Sequence, residues 1–241
     1  MWPKITTNYS PNFNLPKRTK KSIKFIILHY TGMRKESSAI KKLCDFNSKV
    51  SAHYFIKKNG NILNLVPDLY EAWHAGKSSW KKFKSINKYS VGIEIQNSGH
   101  YYSYEKFSIK QINSLKKLIK KLIKIYKINR KNILGHSDIS PNRKKDPGEK
   151  FPWKLLYKKK IGIWYNISSE QIKPLRGKIL RSNFNKFFNF LKKIGYNIKS
   201  SNLSERRKII KAFQMRFRPE LTDGKIDYEC FNIAKSLTNL K

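Results

Sequence analysis

The 241-residue chain is 39% hydrophobic and 13% aromatic, enough for a full core and unlike a disordered composition. Lys and Arg number 53 against 15 Asp and Glu, a formal net charge of +38. However, 43 of the cations are Lys spread along the whole chain, so a solvated basic surface accounts for them better than a specific nucleic-acid partner. Two cysteines, Cys44 and Cys230, exclude a disulfide framework, and no run reaches the roughly 20 apolar residues of a membrane span.

Residues 1–22 are polar and punctuated by proline, and read as an irregular arm without the apolar core of a signal peptide. KFIILHYT (24–31) is a short apolar run that reads as a buried strand. SSAIKKLCDFNSKV (37–50) has the period of a helix, with Ser37 or Ser38 to cap it. In 51–66, Asn59-Gly60 between two β-prone runs predicts a hairpin closed by a two-residue turn. SVGIEIQN (90–97) alternates, with Val91, Ile93 and Ile95 on one face and Gly92, Glu94 and Gln96 on the other. A long amphipathic helix is predicted over 108–128. Its apolar positions begin at Ile109, and Ser108 and Gln111 have capping-box spacing. ILGHSD (133–138) reads as a strand running into a loop. Strand, helix, hairpin, strand, helix, strand makes an α/β chain with a mixed central sheet flanked by helices. The period fails over 161–180, which reads as a linker. Three short helices then follow in 181–241, at 184–196, 204–217 and 228–240.

Five histidines could serve chemistry: His29, His53, His74, His100 and His136. His29 and His136 each end an apolar run, and Asp146 follows in a loop stiffened by Pro147 and Gly148. Two imidazoles and one carboxylate would leave a tetrahedral metal with one open position, the arrangement of a catalytic site. The three are distant in sequence, so spacing alone leaves that convergence open. Glu94 lies in an otherwise apolar strand. By alternation it is either a solvent-facing carboxylate or a general acid/base. Lys144 is either one more surface lysine or a group that stabilises an oxyanion.

FIILHYT, SAHYFIKKNGNILNLV, EAWHAGKSSW, NKYSVGIEIQN and ILGHSDISPNRKKDPGEKFPW follow one another in an order that resembles the zinc-dependent N-acetylmuramoyl-L-alanine amidases of the amidase-2 type, relatives of the peptidoglycan recognition proteins. The resemblance implies a zinc amidase domain over 23–160, with one Zn²⁺ held by His29, His136 and Asp146. It implies Glu94 as acid/base and Lys144 as oxyanion stabiliser. It also points to Trp73, His74, Ala75, Asn97 and Arg143 as substrate-binding residues, whereas His53 reads as structural. The implied reaction is hydrolysis of the amide between N-acetylmuramic acid and L-alanine in peptidoglycan or muropeptides. The alternative is a non-catalytic peptidoglycan-recognition protein. Residues 204–240, with Ala212-Phe213-Gln214 and Asp223-Gly224, resemble part of a three-helix peptidoglycan-binding domain. The expected partner is peptidoglycan or a muropeptide, the expected state a monomer. The resemblance places the chain in the periplasm or cell envelope, and without a visible signal peptide the cytoplasm stays open.

Overall fold

The computed structural model describes residues 5–180, 182–198 and 201–240. In chain order the described strands are β1 (Ile5–Thr7), β2 (Phe13–Asn14), β3 (Phe25–Tyr30), β4 (Tyr54–Ile56), β5 (Ile62–Asn64), β6 (Glu71–Ala72), β7 (Ser79–Trp80), β8 (Phe83–Lys84), β9 (Ser90–Ile95) and β10 (Ile133–Gly135). The α-helices are α1 (Glu36–Cys44), α2 (Ile109–Tyr126), α3 (His136–Ile139), α4 (Trp153–Lys158), α5 (Ser169–Ile172), α6 (Phe184–Ile194), α7 (Leu203–Phe217) and α8 (Tyr228–Thr238). Six strands form the mixed central sheet in the order β1-β5-β4-β9-β3-β10, in which only β4 and β5 pair antiparallel. The other two pairs, β2 with β6 and β7 with β8, are small antiparallel ribbons.

Buried on both faces, β3 and β9 pair side by side in the interior of this sheet. Their residues Ile26, Ile27, Leu28, Val91, Ile93 and Ile95 are all fully buried, as expected for parallel strands covered by helices. One face packs on α2, whose Ile112, Leu115, Ile119 and Leu122 join the main core. On the opposite face α1 lays Ala39 and Leu43 against Phe55 and Leu63. Phe55 pairs in register with Glu94, and Glu94 with His29, so these residues share the α1 side.

Several local expectations are refined. The capping box of α2 forms, Ser108 Oγ accepting from the Gln111 N–H, but Ile109 is 80% exposed because it sits before the stripe that meets the sheet. Helix α1 stops at Cys44, where Asp45 instead caps a 3-10 turn over Phe46–Ser48. The β4–β5 hairpin has a longer turn than a two-residue one: the Gly60 N–H donates to Lys57 O, and only Gly60 takes a positive φ (+88°). His136 begins the helical turn α3, one residue beyond β10.

Residues 161–180 carry α5 and bury Ile161, Ile163, Trp164, Ile172 and Leu180. Helices α6–α8 follow and pack into the same main core. A polar node joins α7 to the site-bearing turn. Arg216 donates to Asp138 Oδ2 (2.5 Å) and Ile133 O (3.0 Å), and the Tyr196 hydroxyl donates to Asp138 Oδ1 (2.6 Å). The Gly135 N–H also donates to Asp138 Oδ2 (2.8 Å), and the guanidinium lies over the Trp153 ring. All three node side chains are at most 3% exposed.

Candidate active site

The register of β3 and β9 puts His29 directly beside Glu94 on the α1 face. β10 pairs parallel to β3 and delivers His136 just past its end, and the loop from α3 returns Asp146 to the same point. The three are buried, and one donor atom from each lies within 4.8 Å of the others. His29 Nδ1 and His136 Nδ1 are 2.9 Å apart, and Asp146 Oδ2 is 3.1 Å and 3.0 Å from them.

Hydrogen-bond partners fix the ring protons. Ser90 Oγ donates to Ile86 O (2.8 Å) and therefore accepts from His74 Nε2 (3.0 Å). His74 Nδ1 is left as an acceptor, and His29 Nε2 donates to it (3.1 Å). On the other imidazole, His136 Nε2 donates to Ala75 O (3.1 Å). In the neutral rings, the form that ligates a metal, both Nδ1 atoms are thus bare lone pairs facing each other and a carboxylate. Three acceptors this close, with no proton among them, repel unless a cation lies between them. Tetrahedral bonds of about 2.0–2.1 Å would set ligand atoms about 3.3 Å apart, close to the spacing found. The donor set therefore fits a divalent metal.

Electrostatics agree with this assignment. Burial, reinforced by His136, lowers the His29 pKa to about 4, so its ring is neutral at pH 7. Glu94 is shifted the other way. Burial first, then the charge of Asp146, pushes its pKa up to about 8 against the pull of Lys144. Its Oε2 is buried with no hydrogen-bond partner among the described residues. A buried carboxylate oxygen without a partner, beside a metal-type donor set, has the form of a working acid/base.

These groups open into a cavity of about 480 Å³ lined by Trp73, His74, Glu94, Arg143 and Lys144 among others. Trp73 donates Nε1–H to Asn14 Oδ1 (2.9 Å). Ala75 acts through its carbonyl, which accepts from both His136 Nε2 and Arg143 Nη2. The Arg143 guanidinium also donates to Lys77 O (2.8 Å). Asn97 is not brought to the cavity wall. It is buried, and its amide ties the following loop through Glu105 O and the Gly99 N–H. His53 accepts from the Gly92 N–H and contacts Tyr70 O, a structural placement. His100 links the Tyr30 hydroxyl (2.8 Å) to Glu149 (2.9 Å).

Residues 19–149 match the N-acetylmuramoyl-L-alanine amidase domain family Amidase_2. The chain is 36% identical over 230 residues to the N-acetylmuramoyl-L-alanine amidase AmiD of Escherichia coli, spanning 89% of this chain and 82% of that one. This chain belongs to the N-acetylmuramoyl-L-alanine amidases. It is a hydrolase of that family. It is also 32% identical over 162 residues to the 1,6-anhydro-N-acetylmuramyl-L-alanine amidase AmpD of Haemophilus influenzae, which spans 60% of this chain and 85% of that one. The solved complex of E. coli AmiD with the substrate anhydro-N-acetylmuramic acid-L-Ala-D-gamma-Glu-L-Lys superposes with a TM-score of 0.82 at 32% identity, covering 93% of this chain and 91% of that one. AMPDH3 from Pseudomonas aeruginosa, solved with an anhydromuramic pentapeptide, superposes with a TM-score of 0.79 at 32% identity, covering 94% and 95%.

Three residues of this cavity and its donor network carry no sequence signal of their own. Ser90 starts β9 as one serine among many, yet sets the His74 tautomer. Tyr101, 84% exposed, lines the cavity from the loop after β9. Lys208 lines it from α7, more than sixty residues beyond Lys144. Tyr30 is the exception, because it directly follows His29 in the HYT motif.

Proposed function

We propose that the chain hydrolyses the amide joining the lactyl group of N-acetylmuramic acid to L-alanine, in peptidoglycan or its muropeptide fragments, with one zinc ion held by His29, His136 and Asp146. The observation that carries this is the set of three buried donor atoms within 4.8 Å of one another, beside the unpartnered Oε2 of Glu94. Zinc is the divalent ion that two imidazoles and a carboxylate suit at a catalytic site; when bound, it polarises a carbonyl and acidifies water toward neutrality. Glu94 takes a proton from the attacking water on Oε2 and delivers one to the departing alanine nitrogen. A pKa near 8 suits a group that must do both close to neutral pH. Lys144 faces the same space and offsets the negative charge that develops on the carbonyl oxygen. Trp73 and Arg143 on the cavity wall would contact sugar or peptide. Residues 181–241 would serve as a peptidoglycan-binding-like domain beside the amidase domain 23–160, and the cell wall would be the site of action.

A recognition-only protein would need neither the donor set nor a buried carboxylate with a raised pKa. The two readings separate in one assay. The protein is mixed with an anhydro-muramyl tripeptide, and new alanine amino termini are counted with and without a chelator. Release that stops on chelation and returns with zinc supports hydrolysis; binding without release overturns it.

A further inference from the structure

Next to the catalytic cavity lies a second one of about 180 Å³. The two are continuous along one wall: Pro141, Lys144, Lys145 and Lys208 line both. The far wall of the second cavity is α7, which contributes Lys208, Lys211 and the buried Met215. Lys208 and Lys211 are three residues apart on α7 and so project from the same side of the helix.

Lysine is common on this chain, so its presence alone says little. Two features set this place apart. Lys144, Lys145, Lys208 and Lys211 all line one concave space that shares a wall with the catalytic cavity, and a cleft lined by one sign of charge concentrates its field. The single carboxylate in that lining, Glu149, is already held by His100 Nε2 at 2.9 Å, and none of the four lysines forms an ion pair with another described residue. Positive charge is therefore left over, facing a pocket and not only bulk water.

We propose that Lys208 and Lys211 of α7, with Lys145 of the loop that carries Asp146, form a carboxylate-binding subsite for the stem peptide of the substrate. The proposal rests on the muropeptide function above. In a peptide linked through the γ-carboxyl of glutamate, the α-carboxylate stays free one residue beyond the alanine whose amide is cut. A free carboxylate close to the scissile bond is the group this cleft would select. The C-terminal helices then do more than flank the amidase site; they supply part of it.

The test compares two substrates on the whole, zinc-loaded protein: an anhydro-muramyl tripeptide with free peptide carboxylates, and the same molecule with them amidated. The wild type is expected to favour the free acid by about tenfold in kcat/KM, the scale of one charge-assisted contact. Lys208→Glu combined with Lys211→Glu should bring the ratio to one or below, and Lys208→Arg with Lys211→Arg should keep it. Because the ratio is internal to each preparation, a partly unfolded sample does not alter it. A ratio unchanged by charge reversal, whether or not both rates fall, overturns the subsite and leaves the amidase function standing. Failure of the wild type to cleave either substrate overturns that function and the subsite together.

Discussion

At the scale of single residues, the site is set by where protons are and are not. Glu94 Oε2 has no partner among the described residues, and Glu94→Gln keeps the shape while removing the proposed base. That variant should bind the metal normally and lose roughly 10²–10⁴-fold in kcat, measured by release of alanine amino termini. It should also change the pH dependence of the metal-free protein. The Glu94 pKa rises from 4.5 in the unfolded chain to about 8 in the fold, so between those values the folded state holds the extra proton. Stability must then fall as pH rises through that window. The wild type should show this decline relative to Glu94→Gln in denaturant titrations; coincident curves would show that Glu94 is already ionised. His74 acts one step further out. Its Nδ1 accepts from His29 Nε2 and so leaves His29 Nδ1 free for the proposed metal. His74→Ala should weaken metal affinity by roughly 10–100-fold in competition with a chelator, as loss of such outer partners does. Unaltered affinity would show that the ring serves only to line the cavity.

At the scale of elements, strand register does most of the positioning. Alternation in SVGIEIQN puts Glu94 and Gly92 on one face, and both were legible there because the period of a strand is fixed. Alternation could not say whether that face meets solvent or a cavity; the structure pairs Glu94 with His29 and turns it to the cavity, and pairing between strands so far apart is not written in either strand. Gly92 has a packing reason: a Cβ there would lie 2.4 Å from His74 Cγ. Gly92→Ala should thus cost about 1–3 kcal/mol of stability by overpacking and should lower metal affinity in the same preparation by moving His74. A full-affinity, wild-type-stable Gly92→Ala protein would contradict the tight seat of that ring. His29 and His136 stood out because each closes an apolar run, whereas Asp146 follows a polar loop and was named only through the resemblance of the quoted motifs. Ser90 and the Ala75 carbonyl were not legible, because their roles depend on contacts made only in three dimensions.

At the scale of the whole molecule, the C-terminal helices and the sheet meet at a buried charge pair. Asp138 is two residues from His136, and it is held from α7 by Arg216 and by Tyr196, which follows α6. Three helices were legible in the sequence from their period, but the partner of Arg216 was not, being 78 residues away. Removing one member of a buried pair strands the other: Arg216→Met should destabilise the fold by about 3–5 kcal/mol in chemical denaturation. Adding Asp138→Asn should restore part of that loss. No recovery in the double variant would show that the pair is not the source of the effect. The +38 charge acts at this scale too, attracting anionic polymers in a salt-dependent manner without setting the chemistry.

The most direct test of the proposed metal site is metal stoichiometry, read by elemental analysis after dialysis against zinc and then buffer, for the wild type and for His29→Ala. The wild type should retain one zinc per chain and His29→Ala essentially none. Equal retention by the two proteins, or none by either, would contradict a site built from His29, His136 and Asp146.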